Sequence, residues 1–253
     1  MVTFTLSKPA SRCSASGAFS DVWRLTGEDN GDRVFAAKFL RVFDHDTVEE
    51  INKTYCKEVV VSKRTNHPNI MSVEGVAPKL FEFCIVSRWM VNGNMKEYIA
   101  ANPAVNRLKL LIGVTRGLDY LHNNEIVHGY LESSSILIDA GGNPRLHNFR
   151  YCWFTKSTNP ANVLNPNCPS RWRYLAPELY SNDGIMTNKS DVFSLSMVMV
   201  ELVTGKVPFP DSTSSEVRDL ILEGERPSCP RYVPYYLTGM AAEVWKIAQE
   251  CWH

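Results

Sequence analysis

Two residues of opposite charge stand at a telling separation. Lys38 closes the apolar run Phe35-Ala36-Ala37-Lys38, and Glu58 follows twenty positions later in a helix-patterned segment. An ammonium closing an apolar run can bind an anion or enter an ion pair, and ion-pair networks imitate functional sites often enough to keep both uses open. Further along come His128-Gly129-Tyr130-Leu131, then Ser135-Ile136-Leu137-Ile138-Asp139, Asn148-Phe149-Arg150, Ala176-Pro177-Glu178 and Ser190-Asp191-Val192-Phe193-Ser194. Tyr130 carries a phenol, whose ordinary pKa of about 10 leaves it protonated at neutral pH and useless as a general base. The carboxylates close to it in sequence are Glu132 and Asp139. Cys152 lies near Asn148, but an isolated thiol is inert unless its surroundings lower its pKa.

The elements that must position these residues change character along the chain. Phe19–Leu25 and Val34–Leu40 are β-rich runs on either side of the polar turn Gly27-Glu28-Asp29-Asn30-Gly31-Asp32, which reads as a hairpin. Thr47 to Thr65 reads as a helix opened by Thr47-Val48-Glu49-Glu50, a capping-box pattern, and closed by His67-Pro68-Asn69. Ile70–Val76 and Phe81–Ser87 read as two more strands. After Gly93 helices dominate: Asn94–Ala101, Val105–Asn123 with Leu108, Leu111, Ile112, Thr115, Leu118 and Leu121 at helical spacing, then Ser190–Gly205, Glu216–Glu223 and Gly239–Cys251. A short hairpin joins Ile136–Ile138 to Arg145-Leu146, and residues 155–170, rich in Asn and Pro, read as a long exposed loop.

Composition narrows the functional classes. Lys+Arg and Asp+Glu both total 27 in 253 residues, so no net charge draws the chain to nucleic acid or an anionic membrane. The seven cysteines are scattered with no Cys-x-x-Cys pair, which fits neither a zinc framework nor a disulfide scaffold. No secretory signal opens the sequence, and the longest apolar stretch, Leu195 to Val203, is too short to span a bilayer. A cytoplasmic protein with reduced thiols, without a membrane or nucleic-acid partner, is the expectation.

In this order, the fragments resemble the eukaryotic protein kinase domain over about residues 14–252. Val86-Ser87-Arg88-Trp89-Met90-x-x-Gly93-Asn94 and Ser170-Arg171-Trp172-Arg173-Tyr174 give it a tyrosine-kinase-like flavour similar to the domains of mushroom-type fungi. The resemblance implies a bilobal α+β fold: a β-rich lobe with one main helix over residues 1–86, a hinge over 87–93, and a mostly helical lobe over 94–253 that lacks the family's last helix. It implies an ATP slot formed by Gly17, Val22, Ala36, Lys38, Glu58, Arg88, Met90 and Leu137, with His128, Phe149, Glu178 and Asp191 as structural anchors.

Position by position, the resemblance also implies losses. The family pattern His-Arg-Asp-Leu-Lys-x-x-Asn is written His128-Gly129-Tyr130-Leu131-Glu132-Ser133-Ser134-Ser135, and Asp-Phe-Gly becomes Asn148-Phe149-Arg150. Tyr130 stands for the proton-accepting carboxylate, Glu132 for the phosphate-contacting lysine, and Ser135 and Asn148 for the two metal ligands. Eighteen positions separate Tyr130 from Asn148, as in the family, so the register is kept. Only Gly17 survives of the glycine-rich loop, and Ala15 and Ser20 restrict backbone approach to phosphate. The expectation is a pseudokinase rather than an enzyme. It would be a binding or regulatory module for an unidentified protein, an active kinase among the candidates, with no required cofactor, no metal site, and weak, magnesium-independent or absent ATP binding. The alternative is an active Ser/Thr or Tyr kinase working through an unorthodox site.

Overall fold

The computed structural model describes residues 2–3, 13–17, 20–26, 33–41, 47–78, 83–156, 169–181, 183–230 and 238–252. Strands β1 (Val2–Thr3), β2 (Ala15–Ser16), β3 (Ser20–Thr26) and β4 (Val34–Leu40) precede helix α1 (Val48–Arg64), then β5 (Val73–Val76) and β6 (Cys84–Arg88). These strands form one sheet in the order β1-β5-β6-β4-β3-β2. The β3–β4 and β4–β6 pairs are antiparallel, and Lys38 on β4 stands opposite Val22 on one side and Ile85 on the other. One face of the sheet buries Leu25, Phe35, Ala37, Cys84 and Val86, and Val59 of α1 packs with Val73 and Ile85. Thr47 caps α1 by accepting from the Glu50 amide while Glu50 reaches back to the Thr47 amide, satisfying two of the free N–H groups of the first turn.

The second lobe holds α2 (Met95–Ala101), α3 (Arg107–Asn123), β7 (Ile126–Val127), β8 (Ile136–Ile138), β9 (Pro144–Leu146), β10 (Trp153–Phe154), α4 (Asn188–Thr204), α5 (Ser214–Leu222) and α6 (Thr238–Glu250). Helix α4 is buried nearly all round, its apolar residues interrupted only by buried polar groups such as Ser194, Ser196 and Glu201, and the main core gathers about it from α3, β8, β9 and α6. It ends at Gly205, whose φ of 70° is the left-handed cap that a side chain resists. A sheet lobe above a helical lobe is the bilobal α+β arrangement that the sequence leads one to expect.

Several boundaries differ from the sequence reading. Asn94 is an N-cap rather than a helical residue, α3 begins at Arg107 behind the Asn106 cap, and α4 begins at Asn188 behind the Thr187 cap, two residues before the expected Ser190, because short polar side chains satisfy the first free amides there. Only Val73–Val76 of the run from Ile70 is strand; Ile70 makes an isolated bridge to Leu146 instead. The tip Gly27–Asp32 and most of the loop 155–170 lie outside the described residues. Among the described residues, no helix is long and apolar enough to cross a membrane.

Candidate functional site

A cleft of about 400 Å³ opens between the lobes. Val22 and Ala36 line it from the sheet, Leu137 from β8 below, and Ser87–Met90 from the connecting strand end, while Lys38, Tyr130, Glu132 and Asn148 stand at its inner end. Gly17 lines the roof in the turn where its amide donates to Ser20 O at 2.9 Å. Arg88 and Met90, taken from the sequence as hinge contacts, also line it; Met90 O accepts from Gly93 N, and the Arg88 side chain pairs with Glu74 on the surface.

Lys38 is the electrostatic centre. Its Nζ lies 2.6 Å from Glu58 Oε1 and 3.3 Å from Asn148 Oδ1, so α1 is drawn in against the sheet and Glu58 is buried. Ser62, one turn further along α1, is buried too, where a polar side chain gives the inter-lobe contact less apolar area. Asn148 sits at φ 70°, ψ 54°, in the left-handed region that Asn tolerates better than most residues. Phe149, beside it, is fully buried and meets the His128 ring edge-on at 5.3 Å.

The floor loop is fixed from below by Asp191. Its Oδ2 accepts from the His128 amide at 2.7 Å and lies 2.9 Å from His122 Nε2, and its Oδ1 accepts from the Gly129 amide at 2.8 Å. His128 is completely buried. Its Nδ1 accepts from the Tyr130 amide and its Nε2 faces His147 O, both at 3.1 Å, while burial holds its pKa down. Gly129 has φ 68°, and a Cβ there would meet Met186 Sδ at 2.6 Å.

Tyr130 is buried, its ring stacked 5.2 Å from that of Tyr151. The Arg171 guanidinium stands 5.1 Å from the Tyr130 ring and 4.7 Å from the Tyr151 ring, and donates to Gly129 O at 2.6 Å. Arg171 and Tyr151 are the residues that sequence reasoning missed; the one available signal was Gly129, which vacates an arginine's volume in the floor loop. Glu178 is exposed and forms no ion pair among the described residues, so solvent screens its charge.

A divalent cation does not fit the positions that the resemblance assigns to it. The Ser135 hydroxyl is turned inward, donating to Glu132 O at 2.8 Å and accepting from the Glu132 amide at 3.0 Å, and Asn148 Oδ1 already accepts from Lys38. Among the described residues, no three His, Cys, Asp or Glu side chains gather as a metal site.

The comparisons with known proteins agree with this geometry. Residues 11–253 match the family described as protein tyrosine and serine/threonine kinase. The chain is 30% identical over 207 residues to serine/threonine-protein kinase PrkC of Bacillus subtilis, covering 80% of this chain and 31% of that protein. It is 26% identical over 237 residues to serine/threonine-protein kinase STY46 of Arabidopsis thaliana (92% and 40%), and 26% identical over 240 residues to the Arabidopsis serine/threonine/tyrosine-protein kinase HT1 (91% and 59%). The chain therefore spans about a third to three-fifths of the length of these curated relatives. They come from a bacterium and a plant and carry the kinase family without the narrower fungal likeness. They also correct one expectation: relatives named as kinases support a protein kinase, and the reading of the chain as a non-enzyme gives way to them. Lobes, cleft, ion pair and sequence relatives converge, and the chain belongs to the protein tyrosine and serine/threonine kinase family.

Proposed function

We propose that the chain is the phosphotransferase domain of a protein kinase, moving the γ-phosphate of ATP to a side-chain hydroxyl of a protein substrate through a rearranged site. The observation that carries this reading is the Lys38–Glu58 pair at 2.6 Å, which holds Lys38 at the wall of a cleft open to a nucleotide. In that arrangement Val22, Ala36 and Leu137 would enclose the adenine, the backbone at Arg88–Met90 would meet its edge, and Lys38 would face the phosphates. Lys38 stays aligned because Glu58 and Asn148 hold it from two sides. The names of the relatives favour Ser and Thr hydroxyls as acceptors, with Tyr hydroxyls added by the HT1 likeness.

Charge stabilisation in this site falls to the protein's own groups, Lys38 first among them. Preorganised donors and cations in a water-poor cleft are the largest source of transition-state stabilisation in such reactions. A reducing compartment suits the six described cysteines, all of them free. The test is transfer of labelled γ-phosphate from ATP to dephosphorylated casein, and to the chain itself, by wild type and Lys38→Met. Transfer that vanishes in Lys38→Met supports the reading; no transfer above that control, with or without added divalent cation, overturns it.

A further inference from the structure

The kinase reaction moves a proton as well as a phosphoryl group, and the family's usual proton acceptor is here a tyrosine. Tyr130 cannot serve as that acceptor: a phenol near pH 7 already holds its proton, and its ring is stacked on Tyr151 and the Arg171 guanidinium. The acceptor must then come from the other groups that line the cleft. Lys38 is a cation paired to Glu58, and Asn148 and the cleft serines are not bases at neutral pH.

Three lining residues remain: Glu97, His147 and Glu132. Glu97 is used as the cap of α2, accepting from the Asn94 amide at 3.3 Å. His147 faces Ser134 O at 3.1 Å through Nε2, and burial with the Lys38 charge pushes its pKa down, which makes it a poor base. Glu132 is different. Its backbone is extended at φ −153°, ψ 167°, and the side chains of an extended segment alternate in direction. Leu131 accordingly enters the core, while Tyr130 and Glu132, two positions apart, both line the cleft.

We infer that Glu132 takes the proton of the substrate hydroxyl, the carboxylate having moved two positions along the floor loop from where Tyr130 now stands. This rests on the kinase reading above. The substrate oxygen bonds to the γ-phosphorus of ATP, the bond from that phosphorus to the β,γ-bridging oxygen breaks, ADP departs with the electron pair, and the hydroxyl proton passes to the carboxylate. Glu132 is buried, and Ser134 donates a hydrogen bond to its Oε1. Burial raises its pKa, against the pull of Ser134, of Arg171 on the segment before α4 and of Lys96 on α2, while Glu201 on α4 pushes the same way as burial. Tyr174 also faces this carboxylate and is held neutral, its own pKa pushed up mainly by burial. A carboxylate raised toward the working pH is a better base than one at its ordinary value.

The deciding experiment measures kcat/KM for casein phosphorylation against pH for wild type, Glu132→Gln and Glu132→Asp, with Lys38→Met as the blank. Thermal unfolding and nucleotide affinity of each variant are recorded alongside. Wild type should gain activity with pH through one ionisation above the ordinary glutamate range. Glu132→Gln should fold, bind nucleotide, lose about 10²–10⁴-fold in rate and lose that ionisation, and Glu132→Asp should restore it in part. A Glu132→Gln variant with the wild-type rate and ionisation overturns this inference and leaves the kinase reading standing. Wild type indistinguishable from Lys38→Met overturns both.

Discussion

The Lys38 ammonium and the Glu58 carboxylate meet at 2.6 Å, with the side chains only 14% and 7% exposed. Glu58 Oε2 is buried with no hydrogen-bond partner among the described residues, so the pair is the carboxylate's main compensation for lost solvent. Breaking a buried pair by removing one partner typically costs about 3–5 kcal/mol, while replacing both by apolar groups can be neutral. Lys38→Met should therefore destabilise by about that amount. The double variant Lys38→Met/Glu58→Leu should recover most of the loss in urea unfolding, and a double variant no more stable than Lys38→Met would show that the pair does not carry α1.

Asp191 holds the floor loop through two amides, those of His128 at 2.7 Å and Gly129 at 2.8 Å. Asp191→Ala leaves both donors buried without their carboxylate, and each unsatisfied group costs about 1–3 kcal/mol. Urea unfolding should report a loss of about 2–6 kcal/mol on that basis, and Asp191→Asn, which keeps one acceptor oxygen, a smaller one.

How much of this was legible in the sequence depended on whether a residue belonged to a pattern. Val34–Leu40 was readable to its ends because turn residues precede it and its apolar run is broken by Lys38 alone. The two-residue strands β1, β2, β7 and β10 were not, since two residues carry no period. Lys38 and Glu58 were legible through the resemblance to the kinase family, which pairs these two positions. Arg171 was not: a single arginine in an irregular segment announces neither its burial nor its stacking on Tyr130 and Tyr151. The inward turn of Ser135 escaped as well, because a hydroxyl's choice between a cleft and its own backbone is decided by local geometry. Glu132 reads in the sequence only as a replacement for the family's phosphate-contacting lysine; burial beside Ser134 and Arg171 gives it another chemistry.

His128 uses both ring nitrogens in its neutral form: Nδ1 accepts from Tyr130 N, and Nε2–H donates to His147 O. Protonation would set an N–H against the Tyr130 amide in a fully buried place, and burial already lowers its pKa below the ordinary 6.5. A depressed pKa in the folded state means that the unfolded chain binds the proton more readily. The stability this residue contributes is present above about 6.5 and drains away as pH falls through the folded value. Urea midpoints from pH 8 down to 5 should fall, and His128→Phe should flatten that dependence. An equally steep fall in the variant would assign the acid sensitivity to other groups.

Gly129 combines a φ of 68° with a site where a Cβ would meet Met186 Sδ at 2.6 Å and Tyr151 O at 2.9 Å. Left-handed backbone alone costs a non-glycine residue about 1–2 kcal/mol, and a clash against a backbone oxygen has no flexible side chain to relieve it. Gly129→Ala should therefore destabilise by about 2 kcal/mol or more on these grounds. Shortening the side chain that gives way, Met186→Ala, should rescue only the sulfur contact. If the double variant regains the stability of Met186→Ala alone, the backbone strain at Gly129 is negligible.

Arg171 joins three parts of the floor at once, with Gly129 O at 2.6 Å and the Tyr130 and Tyr151 rings at 5.1 and 4.7 Å. Guanidinium packs on rings and donates in a fixed fork, whereas the ammonium of lysine is a hydrated point charge, so the two are not interchangeable here. Loss of desolvated cation–π contacts of about 2 kcal/mol and of a buried donor to Gly129 O of about 1–3 kcal/mol sets the scale. Arg171→Lys should destabilise by about 1–3 kcal/mol, and Arg171→Leu by more, because Gly129 O then has no donor there. The double variants with Tyr151→Leu separate the contributions: coupling between Arg171 and Tyr151 near zero in that cycle would mean that the Tyr151 ring does not help pin the segment before Ala176-Pro177-Glu178 to the floor loop.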